Sequence, residues 1–77
     1  MVKVKIYTTS SCPYCQMAKD FLTQHKIEFE EINVEQDREA AIEMVRKSGQ
    51  YGVPVLDIEN NIVIGFDESR IRQLLKL

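Results

Sequence analysis

The chain has only two cysteines, and they lie three positions apart in the run Cys12-Pro13-Tyr14-Cys15. An alternating apolar segment precedes them, and a helical pattern begins at Pro13, where a missing N–H costs a helix nothing. A helix start favours a thiolate, because its free N–H groups and its dipole attract negative charge. The spacing therefore predicts a disulfide-exchanging dithiol. Cys12 attacks as the thiolate, and Cys15, one turn further into the helix, resolves the mixed disulfide.

The same cysteines could instead hold a metal. Zinc normally takes four ligands, and the chain offers two cysteines and a single histidine, His25, near the far end of the same predicted helix. This shortage disfavours a zinc site within one chain, so we expect no metal ion and interpret His25 as a surface residue. A 2Fe–2S cluster shared between two chains stays open as an alternative, because two molecules could pool their thiolates.

Composition and charge narrow the class of protein. The 77 residues are 44% hydrophobic and 29% charged, which is typical of one small globular domain over residues 1–77. The net charge of -2 argues against nucleic acid as a partner, and no apolar stretch approaches membrane-spanning length. The N-terminal segment alternates and so does not resemble a signal peptide. We expect a monomer in the cytoplasm, where a cysteine pair is more often catalytic or metal-binding than structural.

The hydrophobic pattern predicts the elements that position the dithiol. Alternation at Val2, Val4 and Ile6 predicts a first strand, and a helix follows from Pro13 to about Gln24. The remaining signals predict a strand around 27–32, a helix from the cap Asp37 to the stop Gly49, strands over 53–58 and 62–64, and a last helix opened by Asp67. The order β-α-β-α-β-β-α describes a parallel βαβ unit followed by an antiparallel hairpin and a closing helix.

A second feature is the run Gly52-Val53-Pro54-Val55, where a proline opens a strand. A trans bond would only mark a sheet edge. A cis bond would point the N–H and C=O of Val53 outward, as a template for an extended thiol peptide. The residues alone leave both alternatives open. Tyr14, between the two cysteines, is interpreted as a rim residue that covers the sulfurs, in preference to partial helix packing.

Three motifs together resemble the glutaredoxins of the thioredoxin superfamily: Cys12-Pro13-Tyr14-Cys15 after a strand, Val53-Pro54, and Ile64-Gly65-Phe66-Asp67. The resemblance covers nearly the whole chain. It implies an α/β thioredoxin fold, in which a four-stranded mixed sheet of order 2-1-3-4 is flanked by three helices and a cis proline faces the dithiol. Thioredoxins proper fit less well, because they usually carry a Trp before Cys-Gly-Pro-Cys and this chain has no Trp.

The resemblance also implies partners. Glutathione would be the reductant and co-substrate, no cofactor would be bound, and the substrates would be disulfide-containing or glutathionylated proteins. The backbone of Val53 would pair with the cysteinyl part of glutathione. The start of the last helix, at Phe66 and Asp67, would take the γ-glutamyl end, and Gln50 could reach the glycine carboxylate.

Two positions depart from the pattern of many glutaredoxins. Thr9 stands three residues before Cys12, where many members have a lysine, and one glycine, Gly65, precedes the last helix where many have two. The single Gly65-Phe66 resembles redoxins that a flavoprotein, thioredoxin reductase, recharges and that donate electrons to ribonucleotide reductase. The sequence favours a glutathione-dependent oxidoreductase, with such a redoxin and the dimeric cluster carrier as alternatives.

Overall fold

Residues 3–77 are described by a computed structural model, in which three helices pack on a four-stranded sheet. The strand order is β2-β1-β3-β4, where β1 and β2 are parallel and the other two pairs are antiparallel. The elements are β1 (Val4–Thr8), α1 (Pro13–Gln24), β2 (Glu30–Asn33), α2 (Arg38–Ser48), β3 (Val55–Ile58), β4 (Asn61–Ile64) and α3 (Glu68–Leu75). The predicted element order and the mixed sheet of the thioredoxin fold are confirmed.

The hairpin strands differ slightly from their predicted bounds. β3 begins at Val55 and not at position 53, because Pro54 has no N–H to donate to a neighbouring strand. β4 begins at Asn61, because the turn consists of Glu59 and Asn60 alone. Both have positive φ, 49° and 71°, as the tightest hairpin turns require.

The first two strands also shift along the chain. β1 continues to Thr8, and Val2, which the pattern assigns to this strand, lies outside the described residues. β2 begins only at Glu30, because the N–H of Ile27 still donates to the carbonyl of Leu22 at 2.8 Å and so belongs to the end of α1.

The two faces of the sheet bury separate apolar clusters, because successive side chains of a strand point in opposite directions. On the α2 face, Tyr7 packs with Met44 and Val55. The other face packs against α1 and α3, and its cluster contains Val4, Ile6, Ala18, Phe21, Leu22, Leu56, Ile58, Val63, Ile71 and Leu75. The central strand β1 is therefore supported from both sides up to the loop that carries the dithiol.

The helix ends follow local signals in the sequence. The carboxylate of Asp37 accepts from the N–H of Ala40 at 3.1 Å and caps α2, as predicted. Gly49 ends α2 in the left-handed region, with φ 76°, also as predicted. No helix in the described part of the chain is long and apolar enough to cross a membrane.

A polar network lies on the α2 face of the sheet. Asp57 is buried, and its carboxylate accepts from the ammonium of Lys47 at 2.7 Å. The hydroxyl of the fully buried Tyr7 donates to Glu43 at 2.6 Å, and Lys47 also pairs with Glu43 at 3.1 Å. The hydrogen bond to Asp57 is the main cause that raises the pKa of Lys47 above its usual value. The network joins α2 to two strands of the sheet.

Candidate active site

Cys12 lies at the N-cap of α1, and its sulfur takes the place that a capping oxygen usually occupies. The residue is extended, with φ -98° and ψ 110°, and its Sγ accepts from the backbone N–H of Cys15 at 3.3 Å. Pro13 follows at the first helical position, as predicted. The sulfur is half-buried and meets the positive end of the helix dipole, an arrangement that stabilises a thiolate.

Cys15 differs from Cys12 in its surroundings. Only 1% of Cys15 is exposed, and both cysteines are free thiols. Burial raises the pKa of Cys15 to about 12, and its hydrogen bond with Cys12 adds to the rise. The motif therefore combines one sulfur at the surface with a second one held behind it as a protonated thiol.

The Val53–Pro54 loop faces the dithiol. The peptide bond between these residues is cis, as the resemblance implies. The Cys12 thiol donates to the carbonyl of Val53 with an S···O distance of 3.6 Å. Pro54 is buried, and its carbonyl accepts from the N–H of Gly65 at 2.8 Å, which ties the loop to the end of β4. The structure thus brings Cys12, Cys15, Val53 and Pro54 together.

Two tyrosines have exposed side chains, one between the two cysteines and one in the loop before Val53. Tyr14 is 61% exposed, so it does not belong to the buried face of α1. Tyr51 is 82% exposed, in the loop two residues before Val53, and sequence reasoning missed it. The signal that could have found it was a large aromatic residue in a short, otherwise polar and glycine-containing connection between α2 and the proline.

Gln50 is engaged by its own loop. Its Oε1 accepts from the N–H of Gly52 at 2.6 Å, and its Nε2 donates to the carbonyl of the same glycine at 3.0 Å. A Cβ atom at position 52 would lie only 2.6 Å from Oε1 of Gln50, so a larger residue there would push this side-chain amide aside. The side-chain amide of Gln50 is therefore already hydrogen-bonded to Gly52. The resemblance implies a different role for it, which is to bind the glycine carboxylate of glutathione.

The start of α3 is also occupied by the chain's own groups. The carboxylate of Asp67 accepts from the N–H of Arg70 at 3.2 Å and caps the helix. The half-buried ring of Phe66 packs edge-on against Phe21, with 5.9 Å between ring centroids. The Asp67 carboxylate therefore uses one helix N–H at the position where the resemblance implies the γ-glutamyl end of glutathione.

The described residues 3–77 contain no group of three or more His, Cys, Asp and Glu side chains that could hold a metal ion. His25 lies against Phe21, with ring centroids 4.5 Å apart. A shared cluster would need thiolates from a second chain, and burial of Cys15 leaves Cys12 as the accessible thiol of each chain.

A thioredoxin fold with a Cys-X-X-Cys motif at the start of α1, opposite a cis proline, defines a thiol–disulfide oxidoreductase. The sequence model of the glutaredoxin family matches residues 4–63. This chain belongs to the glutaredoxin family.

Individual relatives include a glutaredoxin-like protein and a glutaredoxin. A glutaredoxin-like 8.6 kDa protein of the rubredoxin operon of Clostridium pasteurianum is 40% identical over 73 residues, which cover 95% of this chain and 97% of that protein. Glutaredoxin 3 of Escherichia coli is 34% identical over 68 residues, covering 88% of this chain and 82% of the relative.

A solved structure represents the redoxin branch. The NrdH-redoxin of Escherichia coli, described as a glutaredoxin-like protein with a thioredoxin-like activity profile, superimposes with a TM-score of 0.82 at 30% identity. The match covers 94% of this chain and 93% of that structure.

Proposed function

We propose that this chain reduces disulfides of partner proteins by dithiol exchange, with Cys12 as the nucleophile and Cys15 as the resolving cysteine. The observation that carries the proposal is the contrast between the two thiols. The sulfur of Cys12 is half-buried and accepts from the helix N–H at 3.3 Å, whereas Cys15 is almost completely buried. A reactive thiolate needs access and a positive environment, and a resolving thiol needs only to reach its neighbour.

The exchange has two steps. The Cys12 thiolate attacks one sulfur of the substrate disulfide, and the first substrate thiol leaves. Cys15 then attacks the Cys12 sulfur of the mixed disulfide, releases the second substrate thiol and leaves a Cys12–Cys15 disulfide. The N–H of Cys15 donates to the sulfur of Cys12 at 3.3 Å, so it stabilises negative charge on that sulfur before the attack.

The surroundings of Cys12 favour an extended protein segment as the substrate. The carbonyl of Val53 lies 3.6 Å from the sulfur, so a strand-like segment that pairs with this loop would carry its disulfide to Cys12. The exposed rings of Tyr14, within the motif, and Tyr51, two residues before Val53, provide apolar contact area. Aromatic side chains of this kind contribute strongly to protein–protein recognition.

The reductant that fits this site best is a cytoplasmic flavoprotein of the thioredoxin reductase type. This is the reductant of the redoxins that the sequence analysis gave as an alternative. Two positions argue for it. Thr9 stands where many glutaredoxins have a lysine, and the side chain of Gln50 closes on Gly52. Neither then offers the polar contact that a small anionic peptide such as glutathione would use.

Glutathione-dependent turnover is the second candidate, and the position of Val53 favours it. The same backbone groups that would pair with a protein segment could pair with the cysteinyl part of glutathione. On this route the protein would reduce glutathionylated proteins, and Cys12 alone could carry the exchange.

Two coupled assays separate the candidates. Reduction of a protein disulfide is followed through NADPH consumption, once with thioredoxin reductase and once with glutathione plus glutathione reductase. We expect faster turnover with thioredoxin reductase. Cys12→Ser is the control and should abolish both reactions. Turnover with glutathione alone would favour the second candidate, and no turnover with either system would contradict dithiol reduction.

A further inference from the structure

The connection between α2 and Val53 is a closed loop with Tyr51 at its centre. The side-chain amide of Gln50 spans Tyr51, because it accepts from the N–H of Gly52 at 2.6 Å and donates to the carbonyl of the same glycine at 3.0 Å. The hydroxyl of Ser48, at the end of α2, accepts from the N–H of Gln50 at 3.4 Å and lies 3.0 Å from its carbonyl oxygen. The loop is therefore held by its own side chains.

This closure fixes the backbone on both sides of an exposed aromatic residue. The side chain of Tyr51 is 82% exposed, and residues 48–56 carry no charged side chain. A loop that is already ordered loses less conformational entropy when it binds a partner. Exposed aromatic residues are frequent anchors of protein interfaces. The loop therefore presents Tyr51 as a preordered, uncharged contact.

The loop also lies beside the nucleophile. The carbonyl oxygen of Val53 is 3.6 Å from the sulfur of Cys12. Tyr51 precedes Val53 by two positions, so the Cα atoms of these two residues are at most about 7.6 Å apart. An extended segment advances about 3.3 Å per residue. A substrate segment with its cysteine at Cys12 therefore reaches Tyr51 with a side chain about two to four positions away.

We propose that Tyr51 binds an apolar side chain close in sequence to the reacting cysteine of a protein substrate, and that Gln50 is a positioning residue that holds Tyr51 for this contact. The inference deepens the proposed function and rests on its dithiol route. The role of Gln50 is then to order the docking loop, and the glycine carboxylate of glutathione is not its ligand.

Peptides with a single cysteine, activated as a mixed disulfide with thionitrobenzoate, test this proposal. The Cys12 thiolate attacks the peptide sulfur and forms a disulfide with it, and coloured thionitrobenzoate leaves, so the step needs no other reactant. One peptide has leucines three positions to either side of its cysteine, and the other has serines there. Below saturation, we expect the wild type to react about fivefold faster with the leucine peptide. Gln50→Ala should lower this preference to about twofold, because the loop must then be ordered during binding.

Further variants distinguish this role from a merely structural one. Tyr51→Ser should abolish the preference, and adding Gln50→Ala to it should cause no further loss. Gly52→Ala should reproduce Gln50→Ala, because its Cβ would lie 2.6 Å from Oε1 of Gln50, and it carries the test if Gln50→Ala does not fold. Gln24→Ala, at an exposed glutamine at the far end of α1, is the matched control and should react as the wild type does.

Equal rates for the two peptides in the wild type would overturn the inference, and so would additive losses in the double variant. A loss in Gln50→Ala that is confined to glutathione disulfide would also overturn it, because the amide would then bind glutathione. The dithiol route is checked separately with Ellman's disulfide, from which attack by Cys12 and then by Cys15 releases two thionitrobenzoates. A wild-type protein that releases only one contradicts the route itself.

Discussion

The sulfur of Cys12 lies 3.6 Å from the carbonyl oxygen of Val53, although 41 positions separate the two residues in the chain. This contact joins the loop after β1 to the loop before β3, and these two strands are neighbours in the sheet. The sheet therefore sets the distance between the thiol and the backbone on which we expect a substrate to lie.

Alkylation should distinguish the two cysteines. Cys15 is buried and its pKa is raised to about 12, so it is overwhelmingly a protonated thiol at neutral pH. Cys12 is accessible at the helix start. Brief treatment of the reduced protein with iodoacetamide, followed by peptide mapping, should find the label on Cys12. Preferential labelling of Cys15 would reverse the assigned roles.

Tyr51 should contribute to the binding of protein disulfides but not of small disulfides. Removing an exposed aromatic contact typically costs about 1 kcal/mol of binding, so Tyr51→Ser should raise the KM for a protein disulfide about fivefold with little change in kcat. Reduction of Ellman's disulfide should be unaffected. Ile64→Ser, at a 54% exposed apolar residue of β4, is the matched control. Equal losses in both variants would mean that Tyr51 is no specific contact.

Thr9→Lys should improve turnover with glutathione. A charge-assisted contact to a carboxylate contributes about 1.5–3 kcal/mol, which corresponds to roughly one to two decades of affinity. The new lysine would act on binding before the chemical step, so the KM should fall while kcat changes little. Kinetics with glutathione plus glutathione reductase measure both constants, and Thr9→Gln controls for side-chain length. No gain in Thr9→Lys would mean that position 9 does not contact glutathione.

The elements that local residue types specify could be predicted from the sequence. Pro13 at the start of α1, Asp37 as a cap and Gly49 as a stop each act within one turn of the backbone, so their effect does not depend on distant residues. The resemblance added the strand order and the cis bond. Neither follows from local signals, because a sheet order depends on contacts across the chain and a proline accommodates both isomers.

The side-chain partners around the site could not be predicted. The residue type of Gln50 suits a ligand contact as well as a contact within its own loop, and only the backbone path at Gly52 decides between them. The same holds for Lys19 and Glu31, which are twelve positions apart and meet because β2 pairs with β1 beside α1. Such contacts arise from tertiary packing, so residue type and spacing alone do not determine them.

Lys47→Met should destabilise the fold. The change would leave the buried carboxylate of Asp57 without its cation, and we expect a loss of about 2 kcal/mol in the free energy of unfolding because Lys47 itself is partly exposed to water. Urea unfolding measures this. Arg46→Met, which removes an exposed neighbouring charge, should have little effect. Equal unfolding midpoints for the two variants would mean that the ion pair does not stabilise the fold.

Protonation of Glu31 should lower the stability of the fold in acid. The hydrogen bond from Lys19 holds the pKa of Glu31 below its usual value, so the folded chain binds a proton at this site less readily than the unfolded chain. The stability that the carboxylate contributes is therefore present above the unfolded pKa of about 4.3 and is lost as the pH falls through the lower folded pKa. Glu31→Gln cannot titrate, so its unfolding free energy should decline less over this acid range than that of the wild type.

Urea unfolding at a series of acid pH values measures the difference, and Glu28→Gln, at an exposed glutamate before β2, is the control. Parallel curves for Glu31→Gln and the wild type would mean that the contact with Lys19 does not stabilise the folded state.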